Sequence, residues 1–248
     1  MRTVSLAGNT EGGFRPVDMP RFNRQKIDPI YSEVFKGLRA RIEYKINTSD
    51  LQVLAVTSAV AGEGKTLTAI NLAANMASTE RKKVLLVDLD LRRSAIAREL
   101  DIDPGPGLSE FLMGTIPMEK MIRNSLMPGL SIIPGGQPFP SPADALAGDR
   151  FRSFLRNLRQ EFDLVILDTP PILAVPDAVT VAEQVDAFIL LFRLNHTPHK
   201  LFRQALEELG QGKVMGVVLN GEEPKSEKYY TRYYGKYYKK MGDEGVRN

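Results

Sequence analysis

The segment from Leu51 to Ser78 constrains the fold of this chain more than any other. An apolar run, LQVLAVTS, leads directly into the loop AVAGEGKT, and a helical pattern follows over Leu67–Ser78. Residues Ala59 to Thr66 match the phosphate-binding consensus G-x-x-x-x-G-K-(S/T), except that alanine replaces the first glycine. Such a loop lies between a buried strand and a helix, so the segment predicts an α/β protein with a phosphate-binding turn at a strand end.

Five further apolar runs predict more strands of the same sheet. Their apolar character is continuous rather than alternating, which indicates burial on both faces, as in a mostly parallel sheet with helices on both sides. The predicted strands are Val53–Thr57, Val84–Val87, Leu130–Ile133, Leu164–Leu167, Phe188–Phe192 and Val214–Leu219. The predicted helices are Pro29–Ile46, Leu67–Ser78, Arg150–Gln160 and Lys200–Leu209. Residues 103–147 are rich in glycine and proline, which predicts an irregular excursion around one short strand.

The length and composition of the chain set its domain organisation. With 248 residues, 43% of them hydrophobic, the chain can bury one substantial core. We therefore expect one domain over residues 29–220, a flexible N-terminal arm over 1–28, and a linker with a tyrosine-rich tail over 221–248. The absence of cysteine excludes disulfides and thiolate metal sites, and makes a reducing cytoplasm the simplest compartment.

Charge and hydropathy limit the partners. A net charge of +3 indicates no nucleic-acid footprint, so no nucleic-acid partner is expected. The longest apolar run, Ala187–Phe192, is far shorter than the roughly 20 residues of a membrane helix. Any membrane association must therefore come through a partner or a basic surface.

The loop residues have distinct predicted roles in binding a nucleotide. Gly62 and Gly64 allow the backbone to approach closely, so that N–H groups and the helix N-terminus hold a β-phosphate. Lys65 is expected to neutralise the β- and γ-phosphates, and the Thr66 hydroxyl to ligate Mg²⁺. The alternative is an ordinary glycine turn before a helix. The predicted nucleotide-binding residues of this segment are Gly62, Glu63, Gly64, Lys65, Thr66 and Leu67.

Three carboxylates follow two other predicted strands. In VLLVDLDLRR, Asp88 directly follows the apolar run and Asp90 lies two positions later. This spacing puts both on one side of an extended chain. Such a pair repels unless a cation lies nearby, which favours a magnesium–nucleotide complex. Asp168 ends the strand in DLVILDTPP, at the edge of the sheet where ligands bind in open α/β folds. A helix N-cap is the alternative for either aspartate of the pair, and solvated surface charge is the alternative for Arg92 and Arg93.

Further short motifs accompany these features along the chain. They are SEVFKGLRARIEY before the first strand, then SAVAGEGKT, LLVDLDLRRS, GLSEFLMG, SIIPGGQPFPSPADAL, VILDTPPIL, VDAFILLFRLNHT and GVVLN. In order and spacing, residues 30–240 resemble the bacterial tyrosine kinases (BY-kinases) of the CpsD/CapB type, which regulate capsule and exopolysaccharide synthesis. The resemblance implies a P-loop NTPase fold of the MinD/ParA-like kind, with ATP and Mg²⁺ as cofactors.

The resemblance also implies roles for particular residues. It gives a catalytic set of Lys65, Asp88, Asp90 and Asp168, in which Asp88 accepts the proton of the attacking tyrosine, and a metal-binding set of Thr66, Asp88, Asp90 and Asp168. Arg92 and Asn220 join the nucleotide-binding residues. Asn220 is similar to the asparagine that contacts adenine in related ATPases, and a strand-end turn remains its alternative. His196 and His199 have no partner cluster and are taken as structural or exposed.

Three positions depart from the family pattern, and one of them is Ser94, which ends LLVDLDLRRS where proline is common. Ala61 stands where the family usually has proline. The family's oligomerisation helix favours E-x-x-R-x-x-R, but Lys36 lies between Glu33 and Arg39 here. Lysine lacks the bidentate fork of arginine, which weakens the inference of ring assembly through this helix.

The C-terminal tail is the predicted substrate. Six of the eight tyrosines lie within residues 229–238, in the repeats YYTR, YYGK and YYKK. Beyond the last strand they have no core to fill, and eighteen residues from Asn220 to Tyr238 extend on the order of 60 Å. An aromatic and basic helix or strip for membrane or nucleic acid is the alternative. The predicted phosphoacceptors are Tyr229, Tyr230, Tyr233, Tyr234, Tyr237 and Tyr238.

The predicted function is therefore a protein tyrosine autokinase that transfers the ATP γ-phosphoryl group to its own C-terminal tyrosines and regulates polysaccharide synthesis and export. The expected partners are other copies of the chain, acting in trans in a homo-oligomer or ring, a separate membrane activator of the polysaccharide co-polymerase type, and a protein tyrosine phosphatase. The expected location is cytoplasmic, at the inner face of the cell membrane through a partner.

Two other functions compete with this prediction. The first is a ParA/MinD-like ATPase switch, but those proteins carry a signature lysine five residues before the loop lysine, where this chain has Val60. The second is a non-catalytic scaffold, which would require defects in the motifs.

Overall fold

The structure is a computed structural model, and it describes residues 29–79 and 82–221. The predicted N-terminal arm, and the tail with its six predicted phosphoacceptors, lie outside the described residues.

One mixed sheet organises the described part of the chain. Its seven strands are β1 Val53–Ser58, β2 Val84–Asp88, β3 Arg123–Asn124, β4 Leu130–Ile133, β5 Leu164–Asp168, β6 Ala187–Arg193 and β7 Val214–Asn220. The helices are α1 Pro29–Ser49, α2 Lys65–Ala77, α3 Ile96–Leu100, α4 Leu108–Met113, α5 Pro142–Ala147, α6 Asp149–Glu161, α7 Asp177–Thr180 and α8 His199–Leu209. Short 3-10 helices occupy Met118–Lys120 and Gln211–Lys213.

The strand order is β3-β4-β2-β5-β1-β6-β7, and every neighbouring pair is parallel except β3 with β4. All six predicted strands are present, and each residue of β1, β2 and β5 is buried. The prediction of a mostly parallel sheet covered on both faces is confirmed.

Alternate residues of each central strand enter two separate cores. Val53 and Ala55 of β1 face a core that includes Phe151 and Phe154 of α6. Leu54 and Val56 face the other core, which includes residues of α1, α2 and α3. Because both faces are packed, the central strands are fixed in register, and their carboxyl ends meet at one edge of the sheet.

Residues 103–147 are more regular than predicted. The structure adds α4, α5 and the two-residue strand β3 to the expected strand β4. Glu110 stabilises the start of α4, because its carboxylate accepts the Gly107 N–H at 2.7 Å and the Gln137 N–H at 3.1 Å. The buried Arg123 guanidinium donates to the carbonyls of Gly105, Pro106 and Lys120. These elements are too short for a hydrophobic period to reveal them.

Among the described helices, none has the length and apolar character needed to cross a membrane.

Candidate active site

The phosphate-binding loop connects the end of β1 to the start of α2. Gly62 and Gly64 have φ angles of +80° and +92°, a region that favours glycine. A Cβ atom at Gly64 would lie 2.3 Å from Asn220 Nδ2, and one at Gly62 would lie 3.3 Å from His196 Nε2. Larger residues at these two positions would therefore meet both backbone strain and crowding.

The Glu63 side chain supports the loop from inside the protein. It is fully buried, and its carboxylate accepts the Val60 N–H at 2.7 Å and the Arg193 N–H at 3.4 Å, together with the Thr197 hydroxyl. The side chain is thus committed to the scaffold. Any contribution of Glu63 to phosphate binding falls to its backbone N–H.

The connection between β6 and α8 holds the loop from the other side. Arg193 Nη1 donates to the Gly62 carbonyl at 2.7 Å, and His196 Nε2 lies 2.9 Å from the Ala61 carbonyl oxygen. Both residues are exposed. The contact of His196 could not be predicted from the sequence, because His196 and Ala61 are 135 positions apart and no local pattern connects them. His199, the first residue of α8, is exposed as expected.

Asn220 joins the end of β7 to the same loop. Its Nδ2 donates to the Glu63 carbonyl at 2.8 Å, and its Oδ1 accepts the Gly221 N–H at 2.8 Å. The second contact is the strand-end turn considered for this residue, and the first places the side chain against the loop. Contact with adenine stays a prediction.

Asp88 and Asp168 lie side by side at the ends of β2 and β5, where they are paired in register. Both are buried, with exposed fractions of 0% and 1%. In the described part of the chain, neither carboxylate oxygen of Asp168 has a hydrogen-bond partner. A buried carboxylate without donors is costly, and a cation is the partner that removes that cost.

Asp88, unlike Asp168, accepts hydrogen bonds from the segment that follows β2. Its Oδ2 accepts the Ser94 hydroxyl at 2.6 Å and the N–H groups of Ala95 and Ile96 at 2.9 and 3.0 Å. Among the residues that the structure describes, its Oδ1 accepts a single hydrogen bond, from the Asp90 N–H at 3.2 Å. Asp88 therefore accepts the first N–H groups of α3 through one oxygen, although the N-cap residue of that helix is Ala95, and its other oxygen is less occupied.

The surroundings raise the pKa of both buried carboxyls. Burial raises the pKa of Asp88 to about 6, although the hydrogen bonds from Ser94, Ile96 and Ala95 lower it, and the charge of Asp90 adds to the rise. Burial and the neighbouring Asp88 raise the pKa of Asp168 well above its usual range. Thr66 and Lys65 act in the opposite direction on Asp168.

The structure thus brings Lys65, Thr66, Asp88, Asp90 and Asp168 to one edge of the sheet. Asp90 is half-buried and accepts the Arg93 N–H at 3.0 Å, and Leu67 is 42% exposed. Within residues 29–79 and 82–221, no three acidic, histidine or cysteine side chains are placed to hold a metal alone. In proteins, Mg²⁺ takes one or two carboxylates together with phosphate and water oxygens.

Arg92 makes a contact that the sequence did not reveal. Its guanidinium binds the fully buried Asp177 through two hydrogen bonds, at 2.9 and 3.1 Å. Asp177 begins α7, so the pair connects the segment after β2 with the segment after β5. Binding of a nucleotide by Arg92 stays a prediction.

A phosphate-binding loop after β1, with carboxylates at the ends of β2 and β5, defines a P-loop nucleotide-binding protein. A family model described as an AAA domain matches residues 51–192, which agrees with this class. The chain belongs to the bacterial tyrosine kinase family.

The family assignment depends on relatives and a solved structure that cover most of the chain. The tyrosine-protein kinase YwqD of Bacillus subtilis is 32% identical over 206 residues, which make up 82% of this chain and 86% of that protein. The kinase domain of the Escherichia coli tyrosine kinase ETK superposes with a TM-score of 0.75 and 29% identity, over 87% of this chain and 93% of that domain.

Other relatives are much longer than this chain. The tyrosine-protein kinase ptk of Acinetobacter johnsonii is 31% identical over 86% of this chain, but the match covers 29% of that protein. The chain thus spans less than a third of the length of such relatives.

The fold is also shared outside the kinases. The septum site-determining protein MinD of Pyrococcus horikoshii superposes with a TM-score of 0.59 at 20% identity. At that identity the likeness concerns the P-loop fold alone, and it agrees with the predicted fold class.

Proposed function

We propose that the chain is a protein tyrosine autokinase, a non-specific protein-tyrosine kinase that transfers the γ-phosphoryl group of ATP to the tyrosines of its own C-terminal cluster. The observation that carries the proposal is the buried Asp168 carboxylate beside Asp88, next to Lys65 and Thr66, which has no hydrogen-bond partner among the residues that the structure describes. Membership of the tyrosine kinase family and the six clustered tyrosines support the reaction.

The residues at the sheet edge fit a magnesium ion. Thr66 and Asp168 would hold it, and Asp88 and Asp90, whose charges act on Asp168, would take part directly or through water. The ion supplies charge neutralisation on the phosphate oxygens when bound. The buried oxygens of Asp168, which accept no hydrogen bond within the described part of the chain, support this fit.

The side chains of the chain position the reactants and move one proton. Lys65 and the N–H groups of the loop neutralise and orient the phosphates. The tyrosine oxygen forms a bond to the γ-phosphorus, the bond from that phosphorus to the bridging oxygen breaks, and ADP leaves. The phenolic proton passes to Asp88 Oδ1, the oxygen with a single weak donor. The raised pKa of Asp88 makes it a stronger base than an ordinary carboxylate.

Mass mapping of residues 225–248 after incubation with Mg²⁺-ATP tests the proposal. The full-length protein, supplied with membranes of the cells that produce it, is expected to gain phosphate on the clustered tyrosines. Asp88→Asn is expected to lose labelling by at least about 100-fold while it still binds ATP. Asp149→Asn, a change at a residue with a 96% exposed side chain on α6, is the matched control and should be labelled normally.

Two outcomes would count against the proposal. Labelling that persists in Asp88→Asn would remove Asp88 as the base. Bare tyrosines in a wild-type protein that binds and hydrolyses ATP would favour the ATPase switch. That alternative is not favoured at present, because Val60 occupies the position of the signature lysine and the relatives that cover the chain are tyrosine kinases.

The proposal extends to domains and partners. Residues 29–220 form the kinase domain, between an arm over 1–28 and a tail over 221–248. Transfer in trans within a homo-oligomer is supported by the reach of the tail. Ring assembly through α1 has weaker support, because Lys36 pairs with Glu33 at 2.7 Å, and Arg39 contacts the Asn75 carbonyl of α2 at 3.3 Å.

The remaining partners follow from the family. They are a membrane activator of the polysaccharide co-polymerase type and a protein tyrosine phosphatase, in the control of capsule or exopolysaccharide synthesis and export. The activator would hold the chain at the cytoplasmic face of the cell membrane. No nucleic-acid partner belongs to this proposal.

A further inference from the structure

A cavity of about 390 Å³ lies next to the proposed base. It is formed by the segment that follows β2, together with the turn that follows β4. Three arginines line it, namely Arg92, Arg93 and Arg98, and all three are exposed. Two apolar residues of the lining, Leu91 and Ala97, are buried, with exposed fractions of 1% and 4%. The cavity therefore combines an apolar interior with cationic groups at its solvent side.

We infer that this cavity is a phosphotyrosine-binding subsite, which takes an already phosphorylated tyrosine of the C-terminal cluster while another tyrosine of the same tail is modified. The inference rests on the proposed kinase function. It assigns to the chain a binding site for its own product, separate from the nucleotide loop.

The charges of the cavity favour a dianion. None of the residues that line it is acidic. Arg92 forms an ion pair with Asp177, and Arg98 lies 3.4 Å from a carboxylate oxygen of Glu99. The guanidinium of Arg93 makes no ion pair with the residues that the structure describes. Arginine binds phosphate oxygens in bidentate fashion, and a phosphotyrosine carries about −1.5 to −2 charges at neutral pH.

The same charges disfavour an unmodified tail. In the sequence, each tyrosine pair is followed two positions on by a base, at Arg232, Lys236 and Lys240. Like charges repel when no counterions lie between them, so binding of the unmodified basic repeats to an arginine-lined cavity is unfavourable. Phosphorylation changes the net charge of a repeat from positive to negative. The aromatic ring of the phosphotyrosine would then contact the apolar interior of the cavity.

The cavity adjoins the proposed base. Ser94 lines the cavity, and its hydroxyl donates to Asp88 at 2.6 Å. The tyrosine pairs recur every four residues, a separation of about 13 Å in an extended chain. A phosphotyrosine held in the cavity therefore keeps a neighbouring repeat within reach of Asp88. Once the first phosphate is present, later transfers to the same tail are favoured.

Direct binding of synthetic peptides tests the subsite without any kinase reaction. The protein is the full chain with all six tail tyrosines replaced by phenylalanine, so its own tail carries no phosphate. The probes are two fluorescein-labelled peptides that match residues 226–240, one phosphorylated at Tyr234 and one unphosphorylated. We expect the phosphopeptide to bind at least about 10-fold more tightly in the absence of ATP.

Variants locate the site. The double change Arg93→Ala and Arg98→Ala should remove most of the preference for the phosphopeptide. Arg156→Ala is the matched control, because this exposed arginine of α6 lies outside the cavity lining and donates to Ser153 of its own helix at 2.9 Å. The control should keep the full preference. Circular dichroism of each variant verifies that it is folded.

Three results would overturn the subsite. These are equal binding of the two peptides, an unchanged preference in the double variant, and competition by inorganic phosphate at the same concentration as the phosphopeptide, which would indicate a plain anion site. Because no ATP is present, such a result leaves the kinase proposal untouched. Failure of the kinase proposal would be detected separately, as tail tyrosines that remain unphosphorylated in the mass-mapping experiment.

Discussion

Glu63 supports the phosphate-binding loop from inside the protein. Its buried carboxylate receives donors from Val60 within the loop and from Arg193 and Thr197 beyond β6. A buried carboxylate is tolerated only when such donors are present. The glutamate between the two glycines therefore belongs to the scaffold of the loop, and the glycines on either side present the backbone to a phosphate.

Replacing Glu63 with glutamine tests this role. The change keeps the size of the side chain, but it turns one acceptor into an NH₂ group that faces a donor. We expect the free energy of unfolding to fall by about 2 kcal/mol, and ATP binding to weaken about tenfold as the loop loosens. Urea unfolding and titration with a fluorescent ATP analogue measure the two effects. Glu208→Gln, at an exposed position of α8, is the control. Unchanged stability would refute the scaffold role.

Asp168 has the opposite character, because its oxygens lack partners in the described structure. Asp168→Asn removes a buried negative charge beside Asp88 and adds an amide that can donate to it. We expect the unfolding temperature in EDTA to rise by about 2–4 °C, equivalent to about 1 kcal/mol, while stabilisation by Mg²⁺-ATP disappears. Thermal unfolding with and without Mg²⁺-ATP measures both. If the variant melts lower than the wild type in EDTA, the carboxylate is not a source of instability.

Among the secondary-structure elements, the junction opposite the active site is held by one carboxylate. Asp186 lies just before β6. Its Oδ2 accepts the N–H groups of Gln52 and Val53, at the start of β1, each at 2.7 Å. Arg159 of α6 donates to both oxygens, at 2.8 and 2.7 Å. Burial alone would raise the pKa of Asp186, but these hydrogen bonds outweigh it and lower the pKa below its usual value. One side chain thus joins two strands and a helix.

The junction predicts a pH-dependent loss of stability. Asp186→Asn should lower the free energy of unfolding by about 2 kcal/mol at pH 7, because Arg159 loses its counterion. The folded pKa lies below the unfolded value of about 3.9, so the contribution is present above that value and is lost as the pH falls through the folded pKa. Urea unfolding at pH 7, 5 and 3.5 should show a gap between the two proteins that narrows only at the lowest pH. A constant gap would contradict the prediction, and Asp149→Asn is the exposed control.

The same elements explain what the sequence could predict. The central strands were predicted to within one residue at most ends, because burial on both faces leaves a continuous apolar run. Asp88 and Asp168 were placed correctly at strand ends, since a parallel sheet brings such ends together. The contacts of Arg92 with Asp177 and of His196 with Ala61 span 85 and 135 positions. They arise only when the sheet order places β6 beside β1 and β5 beside β2, which no local period encodes.

For the molecule as a whole, the sequence of the tail predicts a link between phosphorylation and assembly. The segment from 225 to 240 carries six basic residues, namely Lys225, Lys228, Arg232, Lys236, Lys239 and Lys240. Six phosphates at about −1.5 to −2 charges each would reverse its sign. The arginine-lined cavity can neutralise one of them, so a fully modified tail keeps most of its new charge. Repulsion from the acidic edge at Asp88, Asp90 and Asp168 would then oppose contact between copies.

We therefore expect the unmodified full-length protein to form larger assemblies than the fully phosphorylated one. Light scattering after size-exclusion chromatography, before and after incubation with Mg²⁺-ATP, compares the two masses. The chain with all six tail tyrosines replaced by phenylalanine is the control, and its mass should not change on the same incubation. Salt at about 0.5 M should reduce the difference, because charge repulsion over this range is screened. Equal masses for the bare and fully modified forms would refute the link, whereas disassembly of the phenylalanine control would assign the effect to the nucleotide alone.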